Sequence, residues 1–444
     1  MSGKSRKNQA IRVAVAGLGH VGRETARLLN NRARANAAAA GAPVRLAAVC
    51  DLAAERKARQ LGLPKSVRRL RSYSALLDDP DIDIIVELFG GLRDARRLVL
   101  GALAGGKHVV TANKHLLSRH WDEVFGAANR AQRRIYFEAA VAGGIPILSA
   151  LRVGLAANSI SSVYGIFNGT TNYILSQMAH EGCEMRTALR EAQRLGMAER
   201  NPTLDLDGSD TMHKVAIIAS LLTGRAVSAD RIPRQGIEDL AAEDMRFAVE
   251  RLGHTVRLVG TVGIDWKTRP LRLETHVQPT LLRFKHPLAA VHGGYNAVLV
   301  HTSSAEDLMF YGKGAGPGPA ASAVVGDILA LGRIITGAAS GGAPALGPRA
   351  AAPRHVPESD SSYYLKLRVR DVPGALSRIT GILGKNGISI AAIHQPGPSR
   401  PGRAVPVMIT THATSRARID QARRAVTRLS TVARRHTCLR FLPG

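Results

Sequence analysis

Residues Ile11 to Gly22 read IRVAVAGLGHVG, a short apolar run that enters a GxGxxG turn, with Glu24 to Asn30 helical in pattern behind it. In a strand-turn-helix setting each glycine has a task. Gly17 makes the tight turn, Gly19 lets backbone come close to a pyrophosphate, and Gly22 lets the helix pack. Leu18, His20 and Val21 supply the backbone between them, and the N-terminus of the helix suits a phosphate. A lone GxGxxG decides little, so the flanking pattern matters. Four further apolar runs follow: Val44 to Cys50, Ile82 to Leu88, His108 to Ala112 and Ile135 to Val141, with helix-like segments such as Asp94 to Ala104 between them. That alternation predicts right-handed crossovers and a parallel sheet. The expected unit is a Rossmann-type dinucleotide-binding domain over 1–137, completed by 311–337.

Ligands of open α/β sheets bind at the carboxyl ends of the strands, and those ends carry distinctive residues. Asp51 follows the second run, where an acid accepts from the adenosine ribose. It lies 29 residues beyond Gly22, against about 20 in the usual fingerprint, and the alanine-rich stretch Arg32 to Ala42 reads as an insertion. Arg56 and Lys57 are near enough in sequence to meet a ribose phosphate instead, so NAD and NADP both stand as candidates. Gly90, in Phe89-Gly90-Gly91, would let backbone approach the cofactor, although an ordinary loop reads the same way. The fourth run ends in Thr111-Ala112-Asn113-Lys114, which puts Lys114 beside the nicotinamide end. Lysine at a helix start opposes the helix dipole, so a reason other than helix stability is expected for it. The fifth run enters Glu138-Ala139-Ala140-Val141-Ala142-Gly143-Gly144-Ile145-Pro146, a bend whose carbonyls could hold a monovalent cation or make only a tight turn.

The 444 residues allow two or three domains with ordinary cores. No uninterrupted apolar run approaches the roughly 20 residues that span a bilayer, and MSGKSRKNQA lacks a signal-peptide core, so a cytoplasmic protein without membrane attachment is expected. Cys50, Cys183 and Cys438 form neither a disulfide framework nor a zinc pattern. The formal charge of +27 raises nucleic acid as a partner. No recognition helix, zinc finger or aromatic-basic RNA motif accompanies it, and a solvated arginine-rich surface is the preferred reading. Against that background the twelve lysines stand out, because lysine, unlike arginine, offers an amine that can exchange a proton.

A second, substrate-binding and dimerisation domain with a mixed sheet is expected over 138–310. Val163 to Phe167 enters Asn168-Gly169-Thr170-Thr171-Asn172, a polar turn before the helix Tyr173 to His180. Its amides and hydroxyls suit a small zwitterionic substrate, or capping alone. Further on, ERNPTLDLDGSDTMHKVAIIASLL runs from Glu199 to Leu222. A helix from about Ser209 carries Asp210 and Lys214 on one face, with Glu199, Asp205 and Asp207 leading into it. An exposed ion pair would have the same spacing. The turn Tyr311 to Pro319 is rich in glycine but lacks the Gly-Lys-Ser/Thr ending of a P-loop. Residues 338–359 read as a linker, and 360–444 as βαββαβ, a ferredoxin-like module.

The most specific stretches are TANK at 111–114, EAAVAGGIP at 138–146, NGTTN at 168–172, and LGMAERNP through DLDGSDTMHK at 195–214. Together they make the chain resemble homoserine dehydrogenase with a C-terminal ACT regulatory domain, over nearly its whole length. The resemblance implies NAD- or NADP-dependent interconversion of L-homoserine and L-aspartate 4-semialdehyde, on the route from aspartate to threonine and methionine. It implies Lys214 as the acid/base, Lys114 by substrate and nicotinamide, and Glu199 and Asp210 as substrate holders with Asp205 in the same pocket. Gly314 and Gly316 match a cofactor-proximal turn. Na+ or K+ would be held by Glu138, Val141, Gly143 and Ile145, threonine would bind the ACT module, and a homodimer or homotetramer is implied. The chain departs from the family pattern in places: Cys50 stands where NADP-using relatives often have arginine, Ala320-Ala321 replaces Thr-Ala, and the Gln395 to Arg403 loop and the arginine-rich last helix match the ACT pattern less well, which bears on effector binding. The competing readings are a ligand-sensing nucleic-acid-binding protein built on Rossmann and ACT modules, and a Rossmann oxidoreductase for another amino-acid aldehyde.

Overall fold

In the computed structural model the described residues are 10–337, 352–396 and 402–442. They fall into two compact units, one of Met1–Ile160, His213–Arg231 and Asn296–Pro353, the other of Ser161–Met212, Ile232–Tyr295 and Arg354–Gly444.

The first unit is built on a six-stranded sheet of β1 (Ile11–Ala16), β2 (Val44–Cys50), β3 (Arg68–Leu70), β4 (Ile84–Glu87), β5 (His108–Thr111) and β6 (Ile135–Tyr136), in the order β3-β2-β1-β4-β5-β6. Neighbours are parallel throughout, as continuous apolar runs covered on both faces require. Three details differ from the sequence reading. Arg32 to Ala42 is largely a helix, Ala33–Ala40, closed by Gly41 at φ 75°, because alanine is the best helix former. β3 had no apolar pattern to announce it. The fifth run leaves the sheet after Tyr136 and tightens into a 3-10 turn at Glu138–Ala140.

The helix Pro317–Ile335 packs Val324, Val325, Ile328 and Leu331 into the core that holds Ile11, Val13, Val15 and Leu29. Its 19 residues are long and apolar enough to cross a bilayer by length and composition, although Asp327 and Arg333 break the apolar run. Burial against the dinucleotide-binding core accounts for that apolarity. Of the stretch expected as a glycine turn, Tyr311 to Lys313 belongs to a strand, Asp307–Lys313.

In the second unit His254–Asp265 pairs antiparallel with Arg272–Arg283 from His254↔Arg283 to Asp265↔Arg272, and with Ile160–Ile166 on its other side. Arg272–Arg283 then pairs parallel with the last strand, Thr437–Phe441, at Arg440↔Thr280 and Phe441↔Leu281. Beyond it follow Tyr363–Arg370, Ala404–Thr411 and Ile390–His394. The C-terminal βαββαβ module therefore extends an existing sheet. Its helices Ala375–Lys385 and Arg416–Val426 bury Ala375, Ile379 and Leu383, and Ile419, Ala422 and Val426, over Tyr363, Leu365 and Leu367. Residues 338–351 of the expected linker lie outside the described residues, as do 397–401 of the Gln395 to Arg403 loop. The linker's remaining part is not free chain: Arg354–His355 adds alongside Arg272 and Leu273.

Candidate active site

At the glycine turn, packing assigns each glycine separately. A Cβ at Gly17 (φ 100°) would lie 2.6 Å from the Leu88 carbonyl carbon, and one at Gly22 would lie 1.8 Å from the Gly17 carbonyl oxygen. Gly19 faces open space, so the turn is closed toward the protein and open where a pyrophosphate would come. Leu18 is buried, His20 exposed and Val21 half-buried. The Leu18 N–H donates to Asp51 Oδ2 at 2.9 Å, Ala53 N–H to Oδ1 at 2.9 Å, and Lys57 Nζ to Oδ2 at 2.7 Å. Burial pushes the Asp51 carboxyl up, but the Lys57 hydrogen bond, the two backbone donors and the Lys57 charge outweigh it and hold the group below its usual range. Lys57 is thus engaged by Asp51, while Arg56 is exposed. Cys50 is buried, and burial together with the Asp51 charge pushes its thiol up to about 11.

One acid escaped the sequence reading. Glu87, fully buried at the end of β4, accepts from Thr111 Oγ1 at 2.6 Å and from the Gly90 N–H at 3.2 Å. Burial raises its pKa further than these hydrogen bonds lower it. Thr111 Oγ1 accepts from the Asn113 N–H at 3.0 Å, and the Asn113 amide donates to the Gly91 carbonyl at 2.7 Å. Asn113 also caps the helix Lys114–Arg130 by accepting from Leu116 N–H at 3.0 Å. The Gly90 loop and the TANK segment are therefore one hydrogen-bonded assembly with Lys114 at its edge. The visible signal was a lone acid within an apolar run, IIVELF.

Lys214 is only 9% exposed, on the helix Ser209–Thr223, so the reading of a solvated surface amine does not hold. Beside it, His213 is buried, accepts or donates at Nδ1 with Ser118 Oγ at 2.9 Å, and meets His115 edge-on at 4.5 Å between ring centres. The helices that carry Lys114 and Lys214 thus touch through the residue next in sequence to each lysine.

The bend after Glu138 has Ala142 at φ 55° and Gly143 at φ 52°. A Cβ at Gly143 would come 2.4 Å from the Gly314 carbonyl oxygen, and Gly144 N–H donates to the Lys313 carbonyl at 3.1 Å. Gly314 is itself closed in by Asn296, and Gly316 at φ 114° starts the helix Pro317–Ile335. The Glu138 carboxylate accepts from Leu148 N–H at 2.7 Å and Ser149 N–H at 2.8 Å. Burial raises its pKa against those donors. Among the described residues no group of three or more His, Cys, Asp or Glu is placed to hold a metal ion. Within the bend the carbonyls of Glu138 and Ile145 accept from Val141 N–H at 3.3 Å and Ile147 N–H at 2.8 Å, so each has one lone pair engaged locally.

In the second unit Asn168 links two carboxylates. Its amide nitrogen donates to Asp205 Oδ1 at 2.7 Å and Asp210 Oδ2 at 2.9 Å, while its oxygen caps the helix Gly169–His180 by accepting from Thr171 N–H at 2.8 Å. A pair of acids held by one neutral amide makes a patch suited to a cationic group. Gly169 packs against the Gly294 carbonyl, where a Cβ would come within 2.7 Å, and Thr170 Oγ1 donates to the Met197 carbonyl at 2.7 Å. Both brace the turn. Glu199 is exposed and is not joined to the Asn168 group by a direct hydrogen bond; Gln193 donates to its carbonyl. Asp207 acts in structure: it caps Ser209 and pairs with Arg234 at 3.2 Å. A further support, invisible in sequence, is Arg257, 1% exposed, which donates to the carbonyls of Val291, Val256 and Ala289. The loop so braced turns the carbonyls of Val291, Gly293 and Tyr295 toward the Asn172 amide.

Comparison with known proteins gives a consistent answer along the chain. The profile of the homoserine dehydrogenase family matches residues 146–329, that of the homoserine dehydrogenase NAD-binding domain matches 17–138, and that of the ACT domain matches 363–430. The homoserine dehydrogenase of Neisseria gonorrhoeae is 39% identical over 436 residues, covering 97% of this chain and 98% of its own. That of Bacillus subtilis is 37% identical over 410 residues, 92% of this chain and 93% of its own. Among solved structures, a homoserine dehydrogenase from Thiobacillus denitrificans superimposes with TM-score 0.89 at 38% identity, covering 98% of this chain and 99% of that one. A hyperthermophilic archaeal homoserine dehydrogenase in complex with NADPH gives TM-score 0.60 at 26% identity, covering 72% of this chain and 97% of that one.

Proposed function

The chain belongs to the homoserine dehydrogenase family, an oxidoreductase family with a nicotinamide-binding domain, and from that premise we propose which of its residues carry the reaction. Lys214 exchanges the alcohol proton of homoserine; the observation that carries this is a buried amine one helical turn from Asp210. A bound nicotinamide dinucleotide supplies or accepts the hydride. In the oxidising direction the Lys214 amine takes the hydroxyl proton as the carbonyl forms, and in the reducing direction it returns that proton to the alkoxide. Asp205, Asp210 and Glu199 hold the substrate, Asn168 with Gly169 and Thr170 shapes its seat, and Lys114 faces substrate and nicotinamide. Gly17 to Gly22, Gly90, Gly314 and Gly316 admit the cofactor.

The finer assignments follow the same logic. A charged Asp51 beside the glycine turn supports NAD over NADP, because a ribose phosphate would meet a carboxylate. The bend at Glu138, Val141, Gly143 and Ile145 supports Na+ or K+ as a structural ion. A cavity of about 610 Å³ lined by Asp371, Pro373, Gly374, Ser377 and Gln395 supports an amino-acid effector, threonine, on the ACT module. Synthesis of threonine and methionine in the cytoplasm, by a homo-oligomer, completes the reading. The nucleic-acid-binding alternative gains nothing from the family membership.

The test is to supply purified protein with homoserine and either cofactor while following absorbance of the reduced nicotinamide. Turnover that Lys214→Ala abolishes is the expected result. Full turnover in that variant would remove the amine from the mechanism.

A further inference from the structure

The arginines of the last helix divide into two sets. Arg416 pairs with Asp420 at 3.0 Å, and Arg423 pairs with the same carboxylate at 3.0 Å while donating Nε–H to His436 Nε2 at 2.9 Å. Both are engaged by acids within the fold, Arg416 also lying 4.0 Å from Glu358. Arg424, in the last turn of the helix, and Arg428, just beyond its end, form no ion pair among the described residues, and neither does Arg434. The three converge on a cavity of about 720 Å³, lined also by Thr427, Ser430, Val432 and His436, with no carboxylate in its wall. His436 Nδ1 lies 2.8 Å from the Arg434 carbonyl, and its Nε2 faces Arg423 at 2.9 Å.

Like charges gathered without acids repel one another. A solvated arginine-rich surface predicts scattered guanidiniums with acids mixed among them, as Asp420 is with Arg416 and Arg423. A wall of three guanidiniums and hydroxyl groups around one concavity matches a ligand instead. Guanidinium forks bind phosphate oxygens in pairs, and the volume falls within the roughly 300–1,000 Å³ of small-molecule sites, larger than one phosphate needs. The next residue after the cavity, Thr437, begins the strand that joins the sheet of Arg272–Arg283, so an occupant would sit at the root of the strand linking the two modules.

We propose that this cavity binds a small polyphosphate, free or as the phosphate chain of a nucleotide, at a site distinct from both the glycine turn and the cavity at Asp371 to Ser377. The experiment is calorimetric titration of the full-length protein, with its nicotinamide site saturated, using tripolyphosphate and ATP separately at about 0.15 M salt, where diffuse attraction is screened. Saturable binding at one site per chain is expected. It should weaken by at least about tenfold in Arg424→Ala/Arg428→Ala, and little in Arg378→Ala/Arg418→Ala, which removes the same charge from elsewhere on the module. Unchanged melting temperatures will establish that both double variants are folded. Equal binding of the two probes identifies the phosphate chain as the determinant, and tighter ATP binding adds its nucleoside. No saturable binding of either probe, or equal loss in the two double variants, overturns the site.

Discussion

At the scale of single residues, the reaction reading turns on what surrounds two charged groups. Lys214 is buried next to His213, and its removal leaves the glycine turn untouched. Lys214→Ala should therefore lower kcat by about 10²- to 10⁴-fold, the usual share of general acid/base catalysis, with cofactor affinity within about twofold of wild type. Equal loss of both in stopped-flow and binding measurements would mean that the helix, and not the proton transfer, had failed. Asp51 gives the second test. Its carboxylate is charged at neutral pH because Lys57 and two backbone N–H groups hold it so. Asp51→Ala should raise the KM for NAD by about tenfold, equivalent to about 1.4 kcal/mol, and leave or lower that for NADP, since Lys57 is then released to meet a phosphate. Unchanged KM values for both cofactors would disprove the ribose assignment.

Between elements, the contact that matters is the one joining the helix Lys114–Arg130 to the helix Ser209–Thr223. His213 supplies it through Ser118 and His115. His213→Ala keeps both lysines but removes the hydrogen bond and the ring contact, so kcat should fall by about 10- to 100-fold, as expected when a reacting group is misplaced by about 1 Å. Cofactor KM should stay constant, and His213→Asn, which can still bond Ser118, should recover part of the rate. A wild-type kcat in His213→Ala would show that this contact does not position the amine. The same contact shows what sequence could and could not tell. Strands β1, β2, β4 and β5 were readable because they are apolar runs between turn residues, and the βαββαβ module because its alternation is regular. β3, spelled Arg-Arg-Leu, carried no such pattern. Asn168, Asp210 and Lys214 stood out as polar residues at a turn or on an apolar helix. Glu87, His213 and Arg257 matter through partners 24, 95 and 34 residues away, and no local pattern encodes such pairings.

Across the second unit as a whole, the strand pairing Arg440↔Thr280 makes one sheet of the catalytic-family strands and the ACT module, and a buried polar network seals that seam. Arg440 is 2% exposed, donates to His276 Nε2 at 2.8 Å and to the Ser359 carbonyl at 3.0 Å, and lies 3.7 Å from Glu274 and 3.9 Å from Glu358. Glu358 in turn accepts from Gln278 at 3.0 Å. Removing one member of such a group leaves its partners buried and uncompensated, so Arg440→Ala should cost about 3–5 kcal/mol in denaturant unfolding. The network also gives stability a pH dependence. Burial pushes Glu274 up, but its contact with His276 at 3.2 Å and the Arg440 charge outweigh this and hold it below its ordinary value of 4.5. A depressed carboxyl contributes stability that is complete above its unfolded pKa and is lost as pH falls through the folded one. The wild-type melting temperature should therefore hold from neutrality down to about pH 5 as far as this group is concerned, and drop below that as Glu274 takes up a proton. In Arg440→Ala the acid has lost a stabilising charge, its pKa moves toward the unfolded value, and the drop attributable to it should shrink. Parallel melting curves for the two proteins between about pH 5 and pH 3 would mean that the seam is held by strand pairing alone.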